Sequence, residues 1–401
     1  MRTETFDVVV VGSVTSTGTP HQLRRGISDN PADHWADMPG FAGELAPRDN
    51  DELRRILCDE IPATFQWLLD SGIRFMGPMP EPPHRQPRMH NVLPNSHAFI
   101  YHLERRARWA GVDVRTGERV SGFEIDSGKV IGVKTGNHQY RANATILASG
   151  DFTNGPELKA RFMGPQEAKV EGVNLTATGD GQRMAEALGA RILNGDLALG
   201  PELRFIAPEK ETLVRRLPPW RAFAFFMEWA MNHVPAAILR PFLMQFLTTA
   251  LAARFSAWPD FVSTAPGVAY AYIPDYRRNR PDVYTQAASL KALAERLGMQ
   301  PAAFEESVHG SHRRKFATGP FIALGPVRSV FVHAEGGLAV DTQHRVLAAG
   351  DRPIAGLYAA GATGQGGLLL KGHGHHLAWA FVSGRRAGRF AAISNEGAET
   401  K

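Results

Sequence analysis

Residues 353–361, with the sequence Pro-Ile-Ala-Gly-Leu-Tyr-Ala-Ala-Gly, carry the pattern that decides the fold. The segment Gly356–Ala360 is short and apolar and stops at Gly361, which predicts a buried β-strand that ends where backbone could approach a ligand. A glycine-rich loop follows, and a helix is predicted from about His376 onward. The C-terminal part of the chain therefore has a strand, a glycine turn and a helix in sequence.

The same order begins near the N-terminus, at residues 5–22, TFDVVVVGSVTSTGTPHQ. Asp7–Val11 predicts a buried strand that breaks at Gly12, as a dinucleotide-binding unit usually does. Such a unit normally continues as G-x-G-x-x-G into a helix, whose free N–H groups hold a pyrophosphate. Here Ser13 follows and the next glycine is Gly18. The hydroxyl groups within Ser13–Thr17 could contact a phosphate. We expect them to bind it more weakly than the usual motif does, because the N–H groups of the helix are missing.

The recurrence at both ends implies one core domain assembled from both ends of the chain and interrupted by another domain. A chain of 401 residues is also too long for one compact unit. We place the first part of the core domain at residues 1–200, an inserted domain at residues 201–317, and the second part at residues 318–401. The inserted region shows long helical patterns and few strand signals.

An aromatic and methionine-rich stretch, residues 220–258, lies within the inserted region. Glu228, Pro235, Arg240 and Pro241 interrupt it, so neither uncharged piece reaches the roughly 18 residues that span a bilayer. Two interpretations stay open. The stretch is either core or the wall of a substrate pocket, or it forms an interfacial helix pair that draws apolar substrate from a membrane surface.

Composition excludes several classes of protein. The net charge is +5, but the arginines stand singly or in pairs among acidic residues, so we expect no nucleic-acid binding. Cys58 is the only cysteine, which excludes an intrachain disulfide and a cysteine-based metal site. The lack of a disulfide and of an N-terminal signal-peptide pattern favours a cytoplasmic location.

Four further patterns bear on a site. Residues 49–72 predict two helices broken at Pro62, and the proline-rich residues 76–96 predict a long loop that brings His84, Arg88 and His90 together. Residues 112–150 alternate with period two and predict a β-meander that ends at Ser149-Gly150. Residues 178–190, TGDGQRMAEALGA, predict a glycine turn that opens into a helix, either at a ligand or as an ordinary helix cap.

These motifs resemble the flavoprotein oxidoreductases that include fumarate reductase, the succinate dehydrogenase flavoprotein subunit and the 3-ketosteroid Δ1-dehydrogenases. The most specific part is PIAGLYAAG with its glycine-rich loop and GRRAG at residues 384–388; ANATILASGDF at residues 142–152 resembles the second FAD-contacting strand. The resemblance covers most of the chain. It implies an α/β fold in which a Rossmann-like FAD-binding domain is built from both chain ends, with an inserted α+β capping domain.

The resemblance also implies FAD as a non-covalent cofactor. The segment that carries the covalent attachment histidine in succinate dehydrogenases falls in a missing stretch, because only 14 residues separate Gly12 from Ile27. The usual unit needs roughly thirty residues. The expected FAD contacts are Gly12, Ser13, Gly150, Gly179, Asp180 and Gly361, with Gly374, His375, His376 and Leu377 facing the isoalloxazine ring.

The family reaction moves hydride between the flavin and a carbon–carbon bond beside a carbonyl, and it needs a clamp on that carbonyl and a proton donor. We expect the clamps to be His90, His333, Lys371 and His373. Where fumarate reductases carry His-His-x-x-Gly-Gly, this chain has Val332 before His333, and the family's dicarboxylate-pairing arginine falls at Lys371. The string G-x-R-F-x-N-E that holds the family's proton-donating arginine is absent, and Arg254, Tyr272 and Arg277 are substitutes only by location.

These departures favour an apolar enone or unsaturated acid over a C4-dicarboxylate as substrate, with an electron donor or acceptor that the sequence does not identify. We expect no metal site, because the adjacent histidines of GHGHH at residues 372–376 point in different directions and have no carboxylate beside them. Two alternatives remain. The chain could be a catalytically silent relative that acts as a binding module, or an internally truncated form of an active parent.

Overall fold

The computed structural model describes residues 13–206, 217–234, 261–265, 270–311 and 319–396. The predicted strand Asp7–Val11 and Gly12 lie outside these residues, as do Arg254 and most of the aromatic stretch after Val234. The helices are α1 (Pro20–Arg24), α2 (Pro31–Asp37), α3 (Pro39–Ala42), α4 (Asp51–Asp70), α5 (His97–Trp109), α6 (Pro156–Phe162), α7 (Asp180–Glu186), α8 (Arg221–His233), α9 (Ile273–Asn279), α10 (Leu290–Arg296), α11 (Pro301–Ser311) and α12 (His375–Glu396).

Short 3₁₀ turns occupy Gly43–Arg48, Glu167–Lys169 and Ala349–Asp351. The strands are β1 (Ser13–Thr15), β2 (Arg74–Met79), β3 (Met89–Leu93), β4 (Val120–Asp126), β5 (Lys129–Thr135), β6 (Gln139–Arg141), β7 (Thr145–Leu147), β8 (Glu171–Gly172), β9 (Ile192–Leu193), β10 (Ala198–Leu199), β11 (Glu202–Ile206), β12 (Phe261–Ala265), β13 (Tyr270–Tyr272), β14 (Tyr284–Ala287), β15 (Phe321–Leu324), β16 (Val327–Phe331), β17 (His333–Ala334), β18 (Gly337–Leu338), β19 (Arg345–Leu347) and β20 (Pro353–Ala359).

The chain divides into two compact units. The first contains the described residues of Met1–Pro201, Leu217–Pro235 and Phe331–Lys401, and the second those of Glu202–Arg216 and Ala236–Val330. The first unit therefore draws on both ends of the chain, and the second is an insertion of helices and strands. This arrangement confirms the predicted fold class.

In the first unit, β20 pairs with β7 in parallel, with Tyr358 opposite Ile146, and β19 pairs with β20 on the other side. The predicted meander is present as β4, β5 and β6, joined by tight turns. Helices α4 and α12 pack against each other, and their side chains Leu57, Phe65 and Trp379 are fully buried in one apolar cluster. This core holds the ends of β7 and β20 in fixed positions.

Helix α4 runs without a break from Asp51 to Asp70, so the prediction of two helices was wrong. Pro62 lies inside it and removes one backbone hydrogen bond. Ile61 and Phe65, on either side of the proline, are both fully buried. Packing of this apolar face outweighs the local preference of proline for a helix end.

The proline-rich residues 76–96 are not one long loop, as the sequence analysis expected. They contain the end of β2 and all of β3, which form an antiparallel sheet with β1 in the order β1-β3-β2. The backbone groups of Val14 and His90 lie opposite each other in this sheet. The segment that should have continued into a phosphate-binding helix thus begins as an edge strand.

The second unit contains more β-structure than its sequence indicated. Four of its strands follow the order β13-β12-β11-β16, and β14 and β15 form a further antiparallel pair. Its small apolar cluster centres on Tyr276 and Val283, and the Tyr276 hydroxyl donates to the Ile206 carbonyl at 2.7 Å.

Candidate active site

The carboxyl ends of the parallel strands β7 and β20 bring two predicted glycines to one edge of the sheet. Gly150 has φ 79° and Gly361 has φ 60°, conformations that side chains other than glycine rarely adopt. Ligands of open α/β sheets bind at this edge, beyond the carboxyl ends of the strands. The sheet therefore brings Gly150 and Gly361, two of the residues predicted to contact FAD, to the same edge.

Buried side chains hold the Gly150 turn in place. The Gly150 carbonyl accepts hydrogen bonds from Gln182 Nε2 at 2.8 Å and from Thr363 Oγ1 at 2.9 Å. A side chain added at Gly150 would meet no atom within 4 Å, so the turn has open space beside it. The Gly361 amide donates to Ser383 Oγ at 2.8 Å, which ties the second turn to α12.

Gly179 and Asp180 are explained largely by contacts within the protein. Gly179 has φ 75° and caps α7, and a Cβ there would lie 2.5 Å from Leu158 Cδ1. Asp180 forms ion pairs with Arg119 and with Arg183, the latter at 2.6 Å. Burial raises the pKa of the Asp180 carboxyl, but Arg183 and its other partners hold the pKa below its usual value.

The turn before α12 lies directly against the Ser13–Thr15 strand. Thr15 Oγ1 donates to the His373 carbonyl at 2.6 Å, and a Cβ at Gly374, which has φ 84°, would lie 3.0 Å from the Ser13 carbonyl oxygen. The hydroxyl of Thr17 is buried and has no hydrogen-bond partner among the described residues. Among the hydroxyl groups of Ser13–Thr17 that were predicted to contact a phosphate, the Thr17 hydroxyl is therefore available to donate a hydrogen bond.

His333, Glu335 and His376 form a cluster at the first turn of α12. The centroids of the two imidazole rings are 4.0 Å apart, and Glu335 Oε1 lies 3.6 Å from His333 Nε2 and 3.7 Å from His376 Nε2. Glu335 is fully buried. Its other oxygen, Oε2, accepts from Gln365 Nε2 at 2.6 Å and from the Leu370 amide at 3.0 Å.

The charges in this cluster follow from its surroundings. Burial raises the pKa of the Glu335 carboxyl, but His333 and His376 beside it hold the pKa well below its usual value. Burial, together with His376, lowers the pKa of His333. We therefore expect a carboxylate beside a neutral His333, which can donate a hydrogen bond but brings no positive charge.

Lys371 and His373 share the turn that leads into α12. Lys371 is half-buried and directly follows Leu370, whose amide contacts Glu335. His373 is exposed, and its ring forms an ion pair with Glu81, whose Oε1 also accepts from the His373 amide at 2.9 Å. Lys371 thus follows a residue whose backbone contacts Glu335, whereas His373 is engaged at the protein surface.

His90 does not join the other predicted clamps. Its Nδ1 donates to the Arg88 carbonyl at 2.7 Å, and its Nε2 contacts Thr19 Oγ1 at 3.0 Å. Burial, with a contribution from His21, lowers the pKa of His90 to about 3, so the ring is neutral near pH 7. Both ring nitrogens are thus engaged by Arg88 and by Thr19 at the start of α1.

His375 belongs to a second histidine cluster, with His34 and His84. The His84 and His375 Nε2 atoms are 3.1 Å apart, and all three residues are buried. Burial lowers the pKa of both His84 and His375 to about 3. Arg88 donates to His84 Nδ1 at 2.8 Å and connects this cluster to a group of buried ion pairs.

The sequence analysis missed two functional groups of this region. It compared this loop with the family motif only at Val332 and His333 and did not consider Glu335, because the family pattern specifies no residue type there. It named Arg88 only as one residue of a loop and did not identify its partners Asp29 and Asp37, which lie more than fifty positions away. Only the fold brings these charges together.

The described residues are compatible with FAD. Two glycine turns stand at the ends of parallel strands, the first turn of α12 has backbone N–H groups without partners inside the helix, and the Thr17 hydroxyl is free to donate. Gly12 lies outside the described residues. Gly150, Gly361, Gly374 and Thr17 are the residues of this region that could contact the cofactor.

Comparison with known proteins agrees with this arrangement. A family model described as FAD binding domain matches residues 9–216 and 272–369, which is more than half of the chain. The protein named Probable fumarate reductase Ifc3, of Shewanella frigidimarina (strain NCIMB 400), is 25% identical over a gapped alignment of 430 positions that covers 96% of this chain and 68% of that protein. The NADH:acrylate oxidoreductase of Vibrio harveyi is 26% identical over 82% of this chain.

The chain spans only 36% of the length of that acrylate oxidoreductase. Among solved structures, the open conformation of a flavocytochrome c3 fumarate reductase matches with a TM-score of 0.69 and 20% identity, over 96% of this chain and 71% of that one. The structural match supports the fold, and the family model supports the cofactor. The chain therefore belongs to the FAD-binding-domain family of flavoprotein oxidoreductases, and its cofactor is FAD.

Proposed function

We propose that this protein transfers hydride between FAD and a carbon–carbon bond adjacent to a carbonyl or carboxylate. The observation that carries the proposal is that His333 of β17 and His376 of the first turn of α12 meet with their ring centroids 4.0 Å apart, while Lys371 precedes that turn in the chain. Hydrogen-bond donors and a cation at one turn can polarise a carbonyl group. FAD, when bound, supplies the hydride acceptor or donor.

The protein's own residues then bind and orient the substrate. His333, held beside Glu335, donates a hydrogen bond to the substrate carbonyl oxygen, and Lys371 attracts its negative charge. The N-terminal N–H groups of α12 stabilise negative charge on a neighbouring group, because the helix dipole is positive at that end. Gly150 and Gly361 let the cofactor lie close to the backbone.

The substrate class follows from what the site lacks. Lysine at position 371 carries a single charged amine and cannot form the two parallel hydrogen bonds that arginine makes to a carboxylate. The side chain of Val332 has no hydrogen-bonding group. The relatives are named for fumarate and acrylate. We favour a monocarboxylate such as acrylate, or an enone, over a C4-dicarboxylate.

The experiment uses the purified protein loaded with FAD and reduced under anaerobic conditions. Fumarate, acrylate and 2-cyclohexenone are mixed with it separately, and reoxidation of the flavin is followed by absorbance. We expect acrylate or the enone to reoxidise the flavin faster than fumarate does. A reduced flavin that none of these compounds reoxidises, in a protein that binds FAD fully, would contradict the proposal and favour the silent binding module.

A Lys371→Met variant separates the role of charge from that of shape. It should weaken binding of acrylate and have a smaller effect on 2-cyclohexenone, which carries no charge. Lys134→Met is the matched control, because Lys134 is exposed on the β-meander and pairs with Glu124 at 3.2 Å. Equal effects of K371M on the two substrates would remove Lys371 from the proposed clamp.

We also propose that α8 contacts a membrane surface from which an apolar substrate could enter. Glu228 on this helix is buried and lies 3.3 Å from His21, whereas Phe225, Phe226 and Trp229 of the same helix are exposed. Among the described residues, no helix has the length and apolar character needed to cross a bilayer. Phe226→Ser should reduce cosedimentation with phospholipid vesicles; unchanged cosedimentation would contradict this contact.

A further inference from the structure

Two clusters of three side chains in this protein have the composition of a metal site. One is His34, His84 and His375, and the other is His333, Glu335 and His376; in each, the ligand atoms all lie within 4.8 Å of one another. Composition alone does not separate them. The deciding question is whether each nitrogen still has a lone pair to give, because a metal ligand must offer one.

In the first cluster the lone pairs are already used. A neutral imidazole carries one proton, so a ring that accepts a hydrogen bond at Nδ1 has its proton on Nε2. Arg88 Nη1, which can only donate, lies 2.8 Å from His84 Nδ1, and the Gly372 amide donates to His375 Nδ1 at 3.1 Å. The two Nε2 atoms face each other at 3.1 Å, so each is occupied by the other ring and is not directed at a metal ion.

A metal-bound histidine normally donates its second ring nitrogen to an acceptor. His84 and His375 face donors at that position, which is the opposite arrangement. Only His34 remains, and one imidazole does not make a site. We therefore expect this cluster to stay free of metal.

The second cluster has the complementary arrangement. Glu335 Oε1 and His376 Nε2 have no hydrogen-bond partner among the described residues, although Glu335 is fully buried. His333 Nε2 is 3.6 Å from Glu335 Oε1, longer than a hydrogen bond. A buried carboxylate oxygen whose nearest partners are two imidazole nitrogens at 3.6 and 3.7 Å is poorly satisfied, and this spacing leaves room for a ligand between the three side chains.

Glu335 is also held in place for such a ligand. Its Oε2 accepts from both Gln365 Nε2 and the Leu370 amide, which fixes the carboxylate and directs Oε1 toward the two imidazoles. Outer partners of this kind orient metal-binding carboxylates. The His333 and His376 side chains are 24% and 22% exposed, so a bound ion would keep an open side toward solvent.

We propose that His333, Glu335 and His376 bind a divalent transition-metal cation such as Zn²⁺. Two imidazole nitrogens and one carboxylate oxygen are a known Zn²⁺ donor set that leaves a position for water or substrate. This inference rests on the proposed function: with the cation bound at His333, the cation instead of the His333 N–H would polarise the substrate carbonyl, next to Val332, where the family resemblance expects a histidine. The sequence expectation of no metal considered only the adjacent histidines of residues 372–376, and Glu335 and His333 lie about forty positions away.

The test uses Co²⁺ as a visible probe for the Zn²⁺ site. Full-length protein treated with a chelator is titrated with Co²⁺, and difference spectra are recorded against the metal-free protein, with or without FAD. We expect visible cobalt bands that saturate at a single equivalent and are lost when Zn²⁺ is added. Cobalt bands that do not saturate, or the absence of such bands, would overturn the proposal whether or not FAD is bound.

Variants then assign the ligands. Glu335→Gln and His376→Asn should each abolish the saturable bands, while Gln365→Met should weaken Co²⁺ binding by about tenfold through loss of its support for Glu335. His138→Asn and His34→Asn are controls and should leave binding unchanged. His138 is exposed and lies 3.6 Å from Glu118, so it reports binding to an ordinary surface His–Glu pair.

Circular dichroism identifies any variant that does not fold. If Glu335→Gln is unstable, His376→Asn alone tests whether the cobalt bands depend on the proposed ligands. Retention of the bands in both ligand variants would overturn the assignment, and so would their loss in His34→Asn. Because the measurement reports metal directly, it fails or succeeds independently of the proposed hydride transfer.

Discussion

At the scale of single residues, Arg88 shows how a side chain can matter through its partners alone. Its guanidinium is fully buried and donates to Asp29 Oδ1 at 2.7 Å, to Asp37 Oδ2 at 2.5 Å and to His84 Nδ1 at 2.8 Å. Burial raises the pKa of the Asp37 carboxyl, but Arg88 and Arg85 bring it below its usual value. The guanidinium is thus the shared counterion of two buried carboxylates.

Replacement of Arg88 by methionine should destabilise the protein by about 3–5 kcal/mol, because it leaves the buried Asp29 carboxylate without a counterion and leaves Asp37 with Arg85 alone. Arg108→Met is the matched control: Arg108 pairs with Glu104 at 2.7 Å on the surface of α5, and such pairs contribute about 0–1 kcal/mol. Urea unfolding followed by fluorescence measures both. Similar losses of unfolding free energy in the two variants would contradict this prediction, because the buried ion pairs of Arg88 would then contribute no more than a surface pair.

A second prediction at this scale concerns His90 and acid stability. The pKa of His90 is about 3 in the folded protein, chiefly because of burial, and near 6.5 when unfolded. Between these values the unfolded chain binds a proton that the folded protein does not. The contribution of His90 is therefore fully present above pH 6.5 and is lost as the pH falls, by about 1.4 kcal/mol per pH unit.

The variant His90→Gln should reduce the slope of unfolding free energy against pH between pH 6.5 and 4.5 by about one proton. Thr19→Val is the control, since it removes the 3.0 Å contact with His90 Nε2 but keeps the titrating ring. It should lower stability at every pH with a similar slope. An unchanged slope in His90→Gln would contradict the buried, neutral state.

At the scale of elements, the sequence patterns were most informative where periodicity was strong. The meander β4–β6, the strand β20 and the helices α5 and α7 could all be predicted from alternation or helical spacing. Helix α4 and strands β2 and β3 could not, because proline statistics describe local preference only. Burial of Ile61 and Phe65, and pairing of β3 with β1, come from tertiary structure.

The turn before α12 yields a prediction at this scale. Gly374 has φ 84° and touches β1, so Gly374→Ala should cost about 1–3 kcal/mol from backbone conformation alone and should displace Ser13 and Thr15. Because this turn is part of the expected flavin contact, affinity for FAD should fall as well. Unfolding and FAD titration of the variant measure the two effects.

Gly384 provides the control within the same helix. It is exposed inside α12, and a Cβ there would meet no atom within 4 Å. Gly384→Ala should therefore raise stability by about 0.5–1 kcal/mol and leave FAD binding unchanged. If the two alanine variants behaved alike, the turn at Gly374 would not have the tight packing described here.

At the scale of the whole molecule, the interrupted α/β organisation could be predicted because strand–glycine–helix signals stand near both chain ends. The site could be predicted only in part. His333, Lys371 and His376 lie in recognisable motifs, but the partnership of Glu335 with Gln365, and of Arg88 with Asp29 and Asp37, depends on contacts between distant segments. A linear pattern does not contain such contacts.

We expect this chain to bind FAD and to use it in catalysis although its first glycine turn departs from G-x-G-x-x-G. The most direct measurement is an absorbance titration of the purified full-length protein with FAD, followed by anaerobic reduction. We predict stoichiometric binding, oxidised flavin bands and their complete bleaching by the reductant. A folded protein that stays colourless with excess FAD would contradict this expectation and would identify the chain as a silent relative of its family.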